Sequence, residues 1–410
     1  MRNLRLHLRK IGVIERAGSG SEVLLAFLKL GLMSFGGPIA HLGYFRNEFV
    51  TRRRWLDEGA YGDLVSLCQF LPGPASSQVA LSIGLARAGY RGALAAWIGF
   101  TLPSAVALVL FAYGASELEG RTAVGLLHGL KLVAVAIVAQ AVWGMARTSC
   151  SDLQRASIAI GAAVILLLVG SGTMQIAVIL LGGMLGLWLC RGASEPAARG
   201  TLPALVSTPV GLRCLATFFL LLVGLPLLRG SWSSNAVALV DAFYRSGALV
   251  FGGGHVVLPL LREAFVGPGW VSDDAFLAGY GAAQAVPGPL FTFAAYLGAV
   301  ARPAPHPVVG AVLGLIGNFL PGVLILLGTL PFWERFRGRA RARAAMAGIN
   351  AAVVGLLAAA LYNPVWTSSV RTAADFGLAL VGFVLLLVWR VPPLLVVVLT
   401  ALGGIVLANV

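Results

Sequence analysis

Charge is scarce in this sequence. Of its 410 residues, 11% are Asp, Glu, Lys or Arg, only 16 residues are acidic, and lysine occurs just at Lys10, Lys29 and Lys131. A soluble domain needs roughly a quarter of its residues charged to cover a water-facing surface, so a soluble enzyme is excluded. Cysteine is equally sparse. Cys68, Cys150, Cys190 and Cys214 form no CxxC or CxxCH pattern and have no histidine pair beside them. That excludes a disulfide framework, a zinc site and covalent haem attachment. Cys68 abuts a motif described below but reads as a small buried residue. No glycine-rich dinucleotide loop followed by an acid is present either. Neither cofactor, metal nor catalytic residue is expected.

Apolar residues fill the space that charge leaves. They make up 58% of the chain, the mean hydropathy is +0.88, and apolar runs recur at 93–114, 124–145, 158–169 with 176–189, and 376–389. Runs of this length read as membrane helices. The fold expected is an all-α polytopic membrane protein. The 30 Lys and Arg give a net charge of +14, which in a soluble chain would suggest nucleic acid. Here the cations fall in short connections, where the positive-inside rule puts them, so the expected partner is the lipid bilayer and not a nucleic acid. The stretch from Met1 to Arg16 is basic and has no apolar core before Leu24. With Leu4, Leu6, Leu8 and Ile11 it reads as a cytoplasmic amphipathic lead-in, not a cleaved signal.

The chain repeats itself at long range. Phe35-Gly36-Gly37-Pro38 returns 216 residues later as Phe251-Gly252-Gly253-Gly254. Trp55 returns as Trp270, and Gln69-Phe70-Leu71-Pro72-Gly73-Pro74 as Gln284-Ala285-Val286-Pro287-Gly288-Pro289, both at an offset of 215. Gly92-Ala93, Ile98-Gly99 and Leu102-Pro103 return at 218, and Gly129 maps to Gly348. The domains read as a basic segment over 1–19, a first repeat over 20–190, a linker with an extra apolar segment over 191–239, and a second repeat over 240–410. Arg46, Arg52, Arg53 and Arg54 follow the first motif, whereas Glu263, Asp273 and Asp274 accompany Arg262 in the second. Later the asymmetry reverses: Glu117, Glu119 and Arg121 correspond to Arg335, Arg337, Arg339, Arg341 and Arg343. Equivalent loops on opposite faces are the mark of inverted-topology repeats, and the extra segment at 215–228 supplies the odd crossing that inversion needs.

The repeated motifs contain residues that interrupt helices. Pro-Gly-Pro lacks two N–H donors and cannot continue a helix. Arg46–Arg54 and Arg87 with Arg91 flank the first one, so the segment between them is expected to enter and leave on one side. Broken or re-entrant helices at membrane depth are tolerated where they line a polar cavity, and their free N–H groups suit an anion. The expected binding residues are Gly36, Gly37, Gly252, Gly253, His255, Gln69, Gln284, Ser76, Ser77 and Thr292. The expected breaks are Pro72, Gly73, Pro74 and Pro287, Gly288, Pro289. Serine and threonine here have a competing use as backbone caps. Lys29 and Arg245 stand six residues before their glycine motifs at the 216 offset, a symmetric cation pair suited to a divalent anion; snorkelling to the interface is the alternative. Lys131 maps to Asn350, and His41, His128 and His255 fit packing as well as titration. The carboxylates near the motifs are Asp63, Glu48 and Glu263.

The run from Phe35 through His41 to Phe45, together with 69–78, 251–261 and 284–298, resembles the two signature regions of the chromate ion transporter family, in its long-chain two-domain form. The resemblance covers nearly the whole chain. It implies efflux of chromate across the cytoplasmic (inner) membrane, with resistance as the consequence, sulfate as a structural analogue and a cytoplasmic N-terminus. Gly254 stands where the first half has a proline, and Phe291-Thr292-Phe293 replaces Ser76-Ser77-Gln78, so the halves are not expected to bind equivalently. Exchange of sulfate or another oxyanion, a gated anion channel and a membrane-embedded chromate reductase are the competing functions. The last lacks haem, flavin and iron–sulfur ligands in this sequence. A homodimer stays open.

Overall fold

The structure, a computed structural model, describes residues 18–116, 120–169, 172–190, 205–232, 234–251, 254–336 and 339–409. The basic lead-in, Gly252 and Gly253 lie outside the described residues. Among the described residues, five helical segments are long and apolar enough to cross a bilayer, including Arg121–Ser149, Thr208–Ser231 and Ala340–Ser369. The chain is therefore all-α and polytopic. The first half contains α1 (Gly20–Met33), α2 (Gly37–Phe45), α3 (Glu58–Phe70), α4 (Ala75–Ser116), α5 (Arg121–Ser149), α6 (Leu153–Val169) and α7 (Gly172–Leu189). After α8 (Thr208–Ser231), the second half contains α9 (Asn235–Ala248), α10 (Val257–Phe265), α11 (Asp273–Ala285), α12 (Phe293–Val300), α13 (Pro307–Thr329), α14 (Ala340–Ala360), α15 (Ala373–Leu387) and α16 (Pro393–Asn409).

Equivalent sequence makes equivalent local structure. Asp57 caps α3 by accepting from the Ala60 N–H, and Ser272, 215 residues later, caps α11 by accepting from Ala275. Gly89, at φ 65°, divides α4 into helices over 75–87 and 90–116. These fold back so closely that a Cβ on Gly84 would collide with the Gly92 carbonyl. In the second half α12 and α13 make the same hairpin, with Gly298 against Gly310. Small residues let helix backbones approach where water supplies no driving force between helices.

The two halves exchange their ends. Helix α5 packs on α16 of the second half, where a Cβ on Gly129 would strike the Thr400 carbonyl. Reciprocally, α14 packs on α7 of the first half, with Gly348 against Gly182 and Gly186. An ion pair between the buried Lys131 and the exposed Asp274, at 2.9 Å, also joins α5 to α11. Outside this interlocked core, α8 turns Phe219, Leu220, Val223 and Leu227 outward, and Trp188, Trp232 and Trp389 are each about 70% exposed. An apolar surface of that extent with peripheral tryptophans is a lipid-facing one.

Candidate functional site

The Pro-Gly-Pro segments occupy the gaps between α3 and α4 and between α11 and α12, and each ties itself to the other half. The Gly73 N–H donates to the Val250 carbonyl at 2.7 Å, and the Gly288 N–H donates to the Ser34 carbonyl at 2.9 Å. Val250 and Ser34 are themselves 216 residues apart, each just before its glycine motif. Both turn glycines have a positive φ, 116° at Gly73 and 104° at Gly288, a conformation that only glycine adopts without strain. His41 also donates to the Ser34 carbonyl, through Nε2 at 3.1 Å, which gives it a packing role. The motif ends meet at the centre, with Pro38 in contact range of the Cβ position of Gly254.

A cavity of about 50 Å³ opens at this crossing, room for more than one water-sized group. Its wall is built from Gly36, Gly37 and Pro38, from His255, from Gln284 in the last turn of α11 and Gly288 beyond it, and from Gln140 of α5. Gly36, at φ 102°, is the N-cap of α2 and supplies no side-chain cap, so this wall contains an uncapped helix start, where the dipole is positive. The Gln284 Nε2 is buried and makes no hydrogen bond of good geometry among the described residues, although its side chain reaches the Tyr280 hydroxyl one turn back. His255 holds the Tyr280 hydroxyl through Nδ1 at 2.8 Å. The lining residues include no Asp, Glu, Lys or Arg. Such a wall offers neutral donors without fixed charge, which suits an anion that must also be released.

The cation pair expected from the sequence is not in this wall. Lys29 lies exposed on the outer side of α1. Arg245 is taken up by Asp241 on the same helix, with bonds of 2.8 and 2.7 Å to a carboxylate that is fully buried. Arg229 reaches the same carboxylate at 3.4 Å and lies over the Trp270 ring. The reason is geometric: one turn of helix separates residues 241 and 245, so a local partner wins over a distant ligand. Gln69 is exposed at the end of α3. Ser76, Ser77 and Thr292 are buried but do not line the cavity; Thr292 donates to the Pro289 carbonyl at 2.7 Å, the capping use. Of the expected binding residues, Gly36, Gly37, His255 and Gln284 are brought together.

Other contributors carried weaker sequence signals. Tyr280 stands four residues before Gln284, a spacing that shares a helix face. Gln78 donates to the Pro72 and Gly322 carbonyls at 2.9 and 3.0 Å, stapling the first Pro-Gly-Pro turn to α13. Gln140 had no signal, because its helix comes to the cavity only through tertiary packing.

Charged groups gather at the helix ends. Arg53 and Arg87 both lie over the Trp55 ring, at 5.2 and 5.1 Å. Glu48 accepts from Arg52 and Arg53, and Glu22 pairs with Arg87 at 3.2 Å. In the second half Arg262 pairs with Asp273 at 2.8 Å, and the Arg302 N–H donates to the Trp270 carbonyl. A second cavity, of about 110 Å³, is lined by Gln175, Leu356, Ala359, Asn363, Arg262 and neighbouring residues. Leu356, Ala359 and Gln175 are the repeat counterparts of Ile137, Gln140 and Pro393 in the first cavity.

No solved structure matches the chain. A chromate transport protein of Pseudomonas aeruginosa is 28% identical over 93% of this chain and 90% of its own length. A probable chromate transport protein of Synechococcus elongatus is 25% identical over 96% and 97%, and a chromate transport protein of Cupriavidus metallidurans 24% identical over 88% and 86%. Residues 21–187 and 237–405, one stretch in each half, match the chromate transporter family, and this multi-pass membrane protein belongs to that family.

Proposed function

We propose that the protein exports chromate, a tetrahedral dianion, from the cytoplasm across the cytoplasmic membrane by alternating access between two inverted halves, and so confers chromate resistance. The observation that carries this reading is the central cavity, walled by both halves with an uncapped helix start and neutral polar side chains and no charged ones. Chromate transport proteins among the relatives supply the substrate. A dianion cannot cross hydrocarbon unaided, and an inside-negative potential favours its exit by roughly 5 kcal/mol per 100 mV.

Inversion and re-entry have independent support. Helix α3 has 13 residues, about 20 Å of helix against roughly 30 Å of hydrocarbon. Because Arg53 and Arg87 share the Trp55 ring, the segment between them starts and finishes at one end of the molecule. Glu22, at the start of α1, belongs to the same cluster, so the positive-inside rule puts this end and the N-terminus in the cytoplasm. Three lining positions of the two cavities are repeat-equivalent, which agrees with a site worked by rocking halves.

The test is chromate accumulation in everted membrane vesicles under a lumen-positive potential. Accumulation above an empty-vector control, rising with potential and reduced by excess sulfate, is expected. No accumulation in vesicles with verified insertion would overturn the assignment of chromate export.

A further inference from the structure

His255 enters the cavity wall with one of its two ring nitrogens engaged. Its Nδ1 lies 2.8 Å from the Tyr280 hydroxyl, and Nε2 has no hydrogen-bond partner among the described residues. Tyr280 is fully buried on α11, with its ring edge-on to Phe293, and the other polar group that reaches its hydroxyl is the Gln284 side-chain amide one turn on, which acts on the oxygen as a donor. That arrangement decides where the imidazole proton sits. If Nδ1 were protonated, the phenol proton would be left in apolar packing, and a buried O–H without an acceptor is costly. With the phenol donating to Nδ1, both groups are satisfied and the neutral ring must carry its proton on Nε2.

We infer that Tyr280 is a positioning residue that holds His255 as the Nε2–H tautomer, so that the cavity presents an N–H donor to a tetrahedral oxyanion and not a lone pair. The inference rests on the reading of the cavity as an anion site. An imidazole free to exchange tautomers would spend part of its time offering Nε2 as an acceptor, which repels an anion. The charged groups on the surrounding elements do not compete for the ring. Lys131 of α5 pairs with Asp274 at the start of α11, and Arg262 of α10 pairs with Asp273. Glu263 also has a contact of its own, and Arg341 and Arg343 lie in the first turns of α14. The device belongs to one half alone. The repeat counterparts of His255 and Tyr280 are Ile39 and Val65, which can neither donate nor hold a tautomer.

A double-mutant cycle tests this on the full-length protein. Tyr280→Phe should raise the KM for chromate about tenfold, the effect of losing a hydrogen bond to a charged ligand, with maximal rate less affected. In a His255→Gln background, whose amide donates without any tautomer to set, Tyr280→Phe should leave KM unchanged. Equal losses in both backgrounds would overturn the inference, because a merely structural tyrosine would act on either. A second readout needs no transport. In purified protein carrying ¹⁵N-histidine, the His255 signals, identified by their loss in His255→Gln, should show a bare Nδ1 and a protonated Nε2, and Tyr280→Phe should shift them toward a mixture. Nitrogen signals that Tyr280→Phe does not change would overturn it as well. If wild-type vesicles fail to accumulate chromate, the export reading falls, and the nitrogen spectrum still decides the tautomer.

Discussion

At the scale of single residues, the cavity wall carries neutral polar groups where the sequence suggested ions. Two fixed cations facing a dianion in a medium of low dielectric would bind it strongly and release it slowly, whereas amide, imidazole and backbone donors let it bind and leave. Lys29→Ala should therefore keep chromate accumulation within about twofold of wild type, as exposed positions do. Gln284→Glu, which puts a carboxylate in place of a neutral amide, should lower accumulation by about tenfold or more through like-charge repulsion, read in the same vesicles. Arg245 has a structural duty. Among the described residues, Arg245→Ala leaves the buried Asp241 with the 3.4 Å contact to Arg229 alone, and should cost about 1–3 kcal/mol of stability. This is less than a fully buried pair would cost, because Arg245 itself is 40% exposed. Thermal unfolding in detergent should show part of that loss restored in the Arg245→Ala, Asp241→Asn double variant.

At the scale of elements, the hairpins depend on a few backbone positions. Gly73→Ala forces a side chain into a left-handed conformation, at about 1–2 kcal/mol. It also sets the new Cβ 3.0 Å from the Gly322 Cα. Gly288→Ala meets the same strain, with the Phe100 carbonyl and Ser104 Oγ at 3.0 Å. Each should lower the unfolding midpoint, and by similar amounts. The Pro-Gly-Pro pattern made these turns legible, because its chemistry leaves the chain few alternatives. The division of α4 at Gly89 was legible from charge alone, through Arg87 and Arg91 at the membrane face, since a lone glycine between Ala88 and Tyr90 carries no turn signal comparable to a proline. In the second half Arg302-Pro303-Ala304-Pro305 announces the same corner plainly.

At the scale of the whole molecule, neither half is a closed unit. With α7 seated on α14 and α16 seated on α5, each half's last helices bury the long helix of the other. Expressed separately, residues 1–190 and 191–410 should each be degraded or fail to purify as folded protein. Co-expressed, they should associate and restore chromate accumulation, as measured by pull-down and vesicle uptake. Recovery of either piece folded by itself would contradict the exchange of ends.

The sequence by itself determined the membrane class, the repeat, the positions of the turns and the family. All four follow from composition and from local residue chemistry, which act without knowledge of what packs where. Tertiary structure decided which polar groups share the cavity. Gly36 and Gly37 lie more than 200 residues from His255 and Gln284, and Gln140 comes from a helix without a motif. It also decided that Arg245 serves Asp241 and that Lys29 faces outward, because the direction of a side chain around a helix depends on the neighbours that pack against it. The same repeated pattern thus specified two similar scaffolds, and the contact between His255 and Tyr280 made the cavity wall asymmetric.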